Sequence, residues 1–84
     1  MRKILKFQAE WCGPCKTISK TLEDPIFNDI EIVHVDIDDD SNQDLVSQYQ
    51  IRNIPTLVYF IDNKQVNKTV GSVSKEKILE SFNV

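Results

Sequence analysis

Five consecutive apolar residues, Leu57-Val58-Tyr59-Phe60-Ile61, constrain this chain more than any other segment. A strand with one wet face alternates polar and apolar side chains, so an unbroken β-favouring run predicts a strand over 56–62 covered on both faces. The layers that cover it must come from a chain of only 84 residues. A single domain spanning 1–84 is expected, because two separate cores would not fit in a length below the usual range for one. The same run is far shorter than the roughly 20 residues a membrane span needs, so no membrane association is expected. Ten Lys and Arg stand against 13 Asp and Glu, a net charge of −3 with no basic cluster, which argues against a nucleic-acid partner.

The elements around the central strand follow from side-chain period. Residues 2–9 read as a strand through Ile4, Leu5 and Phe7, with Lys6 and Gln8 breaking the alternation. Gly13-Pro14 opens a helix, since proline suits a first turn whose N–H groups lack intrahelical partners, and Cys15, Ile18 and Leu22 give it one apolar stripe. Asp24-Pro25 ends that helix and caps a short turn through Phe27. A second strand covers the β-branched segment 31–37. Ser41 is expected to cap a second helix, with Asp44 as the capping-box acid and Leu45, Val46 and Tyr49 as its buried stripe. After the central strand, Asp62-Asn63-Lys64 turns into an edge strand over 65–70. Ser74 caps a last helix, with Val73 stapling onto Ile78 and with Ile78, Leu79 and Phe82 facing inward. The order β-α-β-α-β-β-α predicts an α/β fold: a four-stranded mixed sheet, its first pair parallel through a right-handed crossover, with helices on both faces.

Chemistry concentrates at Cys12 and Cys15. Cys12 falls at the strand-to-helix junction, where free N–H groups and the helix dipole favour negative charge and stabilise a thiolate. Cys15 lies one turn on, close enough for the two to switch between dithiol and disulfide. Each unit of lowered thiol pKa gains almost tenfold in thiolate but loses about threefold in nucleophilicity, so the optimum lies near ambient pH. Three other readings compete. A structural disulfide here would close too small a loop to stabilise much. Zinc needs four ligands, whereas the chain offers two cysteines and one histidine. An inert pair on a scaffold kept for binding is the third.

Trp11-Cys12-Gly13-Pro14-Cys15-Lys16, preceded by Ala9-Glu10, resembles the active site of the thioredoxin family. Ile51-Arg52-Asn53-Ile54-Pro55-Thr56 resembles that family's segment ending in a cis-proline, and Val70-Gly71 its glycine turn after the hairpin. The resemblance implies a thioredoxin-like fold and a thiol–disulfide oxidoreductase that reduces protein disulfides. Cys12 would be the nucleophile and Cys15 the resolving thiol, while Trp11, Gly13, Pro14, Ile54, Pro55, Val70 and Gly71 would line the substrate groove. It further implies disulfide-containing protein substrates, a thioredoxin-reductase-type electron donor, no bound cofactor, no metal and a monomer. No hydrophobic leader follows Met1-Arg2-Lys3, so a reducing cytoplasmic setting is expected.

Two features depart from the family. The chain starts at the strand leading into the cysteines, like the minimal core of glutaredoxins, which leaves 31–37 as an edge strand. Lys6 stands where thioredoxins carry a buried aspartate thought to move protons for the second cysteine. It is read either as a buried charge beneath Cys15 that tunes the thiols or as a lysine snorkelling to water. The alternatives to a thioredoxin-type reductase are a glutaredoxin-like redoxin and a binding subunit with incidental cysteines. Asp36, Asp38, Asp39 and Asp40 read as a solvated turn rather than a calcium loop, which would need a glycine at its sixth position and a glutamate at its twelfth. His34 reads as a surface strand residue.

Overall fold

The computed structural model describes residues 1–83; Val84, the last position of the expected 1–84 span, lies outside the described residues. Strand β1 (Arg2–Gln8) leads into helix α1 (Gly13–Leu22), and a single 3-10 turn at Pro25–Phe27 precedes β2 (Glu31–Asp36). Helix α2 (Gln43–Gln48) follows a second such turn at Asp40–Asn42. The hairpin of β3 (Thr56–Ile61) and β4 (Lys64–Val70) then leads to α3 (Lys75–Glu80). The sheet order is β2-β1-β3-β4, with β1 and β2 parallel and the other two pairs antiparallel.

The unbroken apolar run does what its pattern implies. Leu57 and Tyr59 join Ile4, Ile18, Leu22, Phe27, Ile78 and Phe82 in one core on the face covered by α1 and α3. Val58 and Phe60 pack on the opposite face with Leu5, Phe7 and Val35, beneath Leu45, Val46 and Tyr49 of α2. A side chain on β1 therefore faces α1 at even positions and α2 at odd ones. That parity places Lys6 and Gln8 on the α1 side.

The hairpin turns at Asp62 and Asn63, both with positive φ (50° and 69°), as a tight two-residue connection requires. A register shift between Tyr59 and Phe60 makes Thr69 the buried residue near the end of β4, where its hydroxyl meets the Tyr59 hydroxyl at 2.8 Å. Val70 is left exposed.

One cap differs from expectation. Ser41 does not cap α2. Asp39 acts a turn earlier, accepting hydrogen bonds from the Ser41 N–H and hydroxyl at 2.9 and 2.7 Å. Asn42 occupies the cap position of α2 without a side-chain bond to it and instead donates to the Asp36 carbonyl. A carboxylate upstream of the serine captured the free N–H groups first, so the chain tightens into a 3-10 turn before the helix starts.

Ser74 does cap α3, accepting from the Lys77 N–H at 3.1 Å. Ser74→Ala is expected to destabilise the protein by about 1 kcal/mol, measured as a urea midpoint shift at constant slope.

Candidate active site

The end of β1 delivers Cys12 to the N-cap of α1 with extended backbone (φ −90°, ψ 107°). Gly13 and Pro14 supply the exposed first turn, and neither impedes helix entry. Cys12 and Cys15 are joined as a disulfide across a Cα separation of 5.2 Å. The Cys15 N–H donates to Cys12 Sγ at 3.1 Å, so this sulfur already receives one of the free donors of the helix terminus. When the bond is reduced, negative charge on Cys12 meets both that donor and the positive end of the helix dipole. Cys15 lies on the inward stripe of α1, and among the described residues no main-chain N–H is directed at its sulfur. Exposure hardly separates the two sulfurs, since the residues are 5% and 2% accessible. The cap geometry is what makes them unequal.

Of the remaining predicted residues, Ile54 packs directly on this pair. Ala9 and both cysteines form a small buried cluster against which Ile37 and Ile54 pack. The Ile54–Pro55 peptide bond is cis, as the resemblance implies, and Pro55 is buried. The Gly71 N–H donates to the Pro55 carbonyl at 2.8 Å, tying the turn after β4 to this segment. Gly71 has φ +89°, a conformation an L side chain strains to adopt. Trp11 and Val70 stand out to solvent at 68% and 51% accessibility.

Three partners were not evident from sequence. Asp38 accepts the Trp11 indole N–H at 2.8 Å, which ties the exposed ring to the segment after β2. The signal was its place just past β2, whose C-terminal end lies beside that of β1, the parallel strand that leads into the cysteines. Gln8 and Ser19 are the others. The Lys6 ammonium donates to Gln8 Oε1 and Ser19 Oγ, and the Ser19 hydroxyl donates in turn to the Cys15 carbonyl at 3.1 Å. Lys6 is 1% accessible, so it is buried rather than snorkelling. Burial lowers its pKa from the ordinary lysine value. His34, its register partner on β2, is held below the usual imidazole range by burial and by the charge of Lys6.

The turn of aspartates serves itself. Asp36 and Asp39 accept the backbone N–H groups of Asp38 and Ser41, both at 2.9 Å, in Asx turns.

Two sulfurs at bonding distance on one helical turn, one of them receiving a main-chain donor, suit the exchange of a disulfide for a dithiol; the class is that of the thiol–disulfide oxidoreductases. The chain belongs to the thioredoxin family, whose model, described as "Thioredoxin", matches residues 2–83. A thioredoxin of Mycoplasmoides gallisepticum is 34% identical over 92% of this chain and 77% of its own length. One from Griffithsia pacifica is 38% identical over 94% of this chain and 73% of its own length. Among solved structures, a point mutant of the thioredoxin from Halobacterium salinarum NRC-1 superposes with a TM-score of 0.81 at 33% identity, covering 99% of this chain and 75% of that one. These matches carry the fold and the oxidoreductase class.

Proposed function

We propose that the protein is a thioredoxin-type protein-disulfide reductase. The observation that carries this reading is the N-cap position of Cys12, with the Cys15 N–H directed at its sulfur. In the reduced protein the Cys12 thiolate attacks a substrate disulfide and releases one substrate thiol. Cys15 then attacks Cys12 in the mixed disulfide, releasing the second thiol and leaving the bonded pair for a reductase to recharge. Trp11, Gly13, Pro14, Ile54, Pro55, Val70 and Gly71 line the groove that receives the substrate chain, with the exposed Trp11 and Val70 as its apolar contacts. Among the described residues no helix is long and apolar enough to cross a membrane. A reducing compartment suits the proposed cycle, because the resting dithiol must be maintained there.

The test is reduction of a model protein disulfide with two electron sources in parallel, thioredoxin reductase plus NADPH and glutathione. Turnover with the reductase is expected. Turnover with glutathione alone would instead assign a glutaredoxin-like redoxin, and turnover with neither would assign a binding subunit.

The hydrogen bond from Trp11 to Asp38 gives a smaller expectation. Asp38→Ala frees the ring, and losing one net hydrogen bond of about 1 kcal/mol should lower kcat/KM for a protein disulfide about fivefold. Thermal unfolding should change little, since Asp38 is not part of the buried core.

A further inference from the structure

The two edges of the sheet are built differently. β4, the outer strand on one side, carries Lys64 and Lys68, and its register with β3 skips Val66 between the pairs Tyr59–Asn67 and Phe60–Gln65. Lysines and bulges are the devices that keep another strand from joining an edge. β2, the outer strand on the other side, has neither. Its residues Glu31–Asp36 include no lysine or proline and run in unbroken register with β1, and among the described residues no strand pairs with its outer side.

Strand parity shows which main-chain groups are left open there. The Ile37 N–H donates to the Gln8 carbonyl at 2.9 Å, so the odd-numbered residues of this strand turn their main-chain groups towards β1 and the even-numbered ones turn theirs away. Ile32, His34 and Asp36 face outward. The Asp36 carbonyl accepts from the Asn42 side chain at 2.9 Å, which closes that end of the edge. Ile32 and His34 are left with both N–H and carbonyl open.

These groups match a second copy of themselves. With two β2 strands antiparallel about a two-fold axis at Val33, Ile32 of one copy faces His34 of the other, and each such pair exchanges both of its main-chain hydrogen bonds. The side chains agree with this register. Val33 meets its own copy on the α2 side of the sheet, and Ile32, which packs on the α1 side, meets His34 there. Glu31 falls opposite Val35 and Asp36 opposite Ile30, so no acid opposes an acid. Burial and the charge of Lys6 hold the His34 imidazole below its usual range, so it meets Ile32 uncharged at neutral pH. Centring the axis on His34 would instead set Ile32 against Asp36, whose carbonyl is already engaged.

We propose that β2 is a self-association edge, at which two copies of this chain pair antiparallel across Val33 and join their four-stranded sheets into one continuous sheet. The pairing does not depend on the redox cycle. Because the strands run antiparallel, the C-terminal ends of β2, beside which the cysteines lie, point away from each other and both sites stay open. A single strand pair falls below the about 1,200 Å² of a standard interface, so the dimer is of the weak class that fills as concentration rises.

The first experiment is sedimentation equilibrium of the wild type from about 10 μM to 1 mM, in about 0.15 M salt so that repulsion between two chains of net charge −3 is screened. The weight-average mass should climb towards twice that of one chain. A mass that stays at one chain throughout, the monomer that the family resemblance implies, would overturn the proposal. Amide hydrogen exchange of the same samples locates the contact without any variant. Exchange at the Ile32 and His34 N–H groups should slow by about twofold or more at the concentrated end, the effect of pairing half the chains, while Val33 and Val35, already held by β1, should not respond. Association that leaves those two amides unprotected would place the contact elsewhere and overturn it. Register is read by adding one cysteine to a protein that carries Cys12→Ser and Cys15→Ser. Oxidation should cross-link Val33→Cys to its own copy, since opposed residues of such a pair approach to about 4.5 Å between Cα atoms, within disulfide range. Glu31→Cys, which falls opposite Val35 rather than itself, should stay uncrosslinked. Cross-linking through His34→Cys in preference to Val33→Cys would overturn the register.

Discussion

Cys12→Ser is expected to lower the rate of attack on a protein disulfide by on the order of 10³-fold or more, whereas Cys15→Ser should leave attack intact and accumulate a covalent adduct. The asymmetry follows from the two positions on one helix. Cys12 Sγ accepts the Cys15 N–H and sits where the first turn of α1 has unpaired donors, so a serine there removes the one group whose ionised form is stabilised. Cys15 lies on the buried stripe with Ile18 and Leu22, and replacing it removes only the group that severs the adduct. Intact-mass spectrometry after incubation with a disulfide-bonded substrate distinguishes the two. A substrate-sized mass increment on Cys15→Ser is the expected result. An increment on Cys12→Ser with none on Cys15→Ser would reverse the roles.

Much of this was readable because it depends on local period and local chemistry. The inward stripe of α1, the two-faced burial of 57–60 and the tight turn at Asp62-Asn63 each depend on neighbours within a few residues. The cysteine spacing and its flanking residues likewise carry their meaning within six positions. What sequence left open depends on which polar side chains meet across packed elements. Lys6 and Ser19 stand thirteen residues apart and meet only because α1 lies over the even-numbered side of β1. Trp11 and Asp38 meet only because β1 and β2 run parallel in register. The choice between a buried and a snorkelling Lys6 turned on the same fact, since no local pattern says whether a helix closes over a strand residue. The cap at Asp39 was a different kind of miss: several adjacent residues could each cap, and sequence alone did not rank them.

A lysine buried among neutral partners should weaken the fold, and its removal should show this. Lys6→Met keeps an unbranched side chain of similar length and removes the amine, so the packing against α1 survives. Gln8 and Ser19 are both half-buried, so water can satisfy the oxygens that lose their donor. The expected result is a gain of about 1–2 kcal/mol at neutral pH, set by a buried-ion penalty of several kcal/mol less the hydrogen bonds that offset part of it. The pH dependence fixes the cause. Lys6 has a lowered pKa in the folded protein and titrates near 10.4 in an unfolded chain. Between these values the unfolded chain binds the extra proton, so wild-type stability rises with pH there. The advantage of Lys6→Met should therefore be full below the folded pKa, shrink as pH climbs through the window, and vanish above about 10.4. Urea unfolding of both proteins from pH 6 to 11 measures it, and a difference independent of pH would mean that packing, not the buried charge, is responsible. The His34 imidazole should titrate higher in the variant, because one of the two causes that hold it down has been removed.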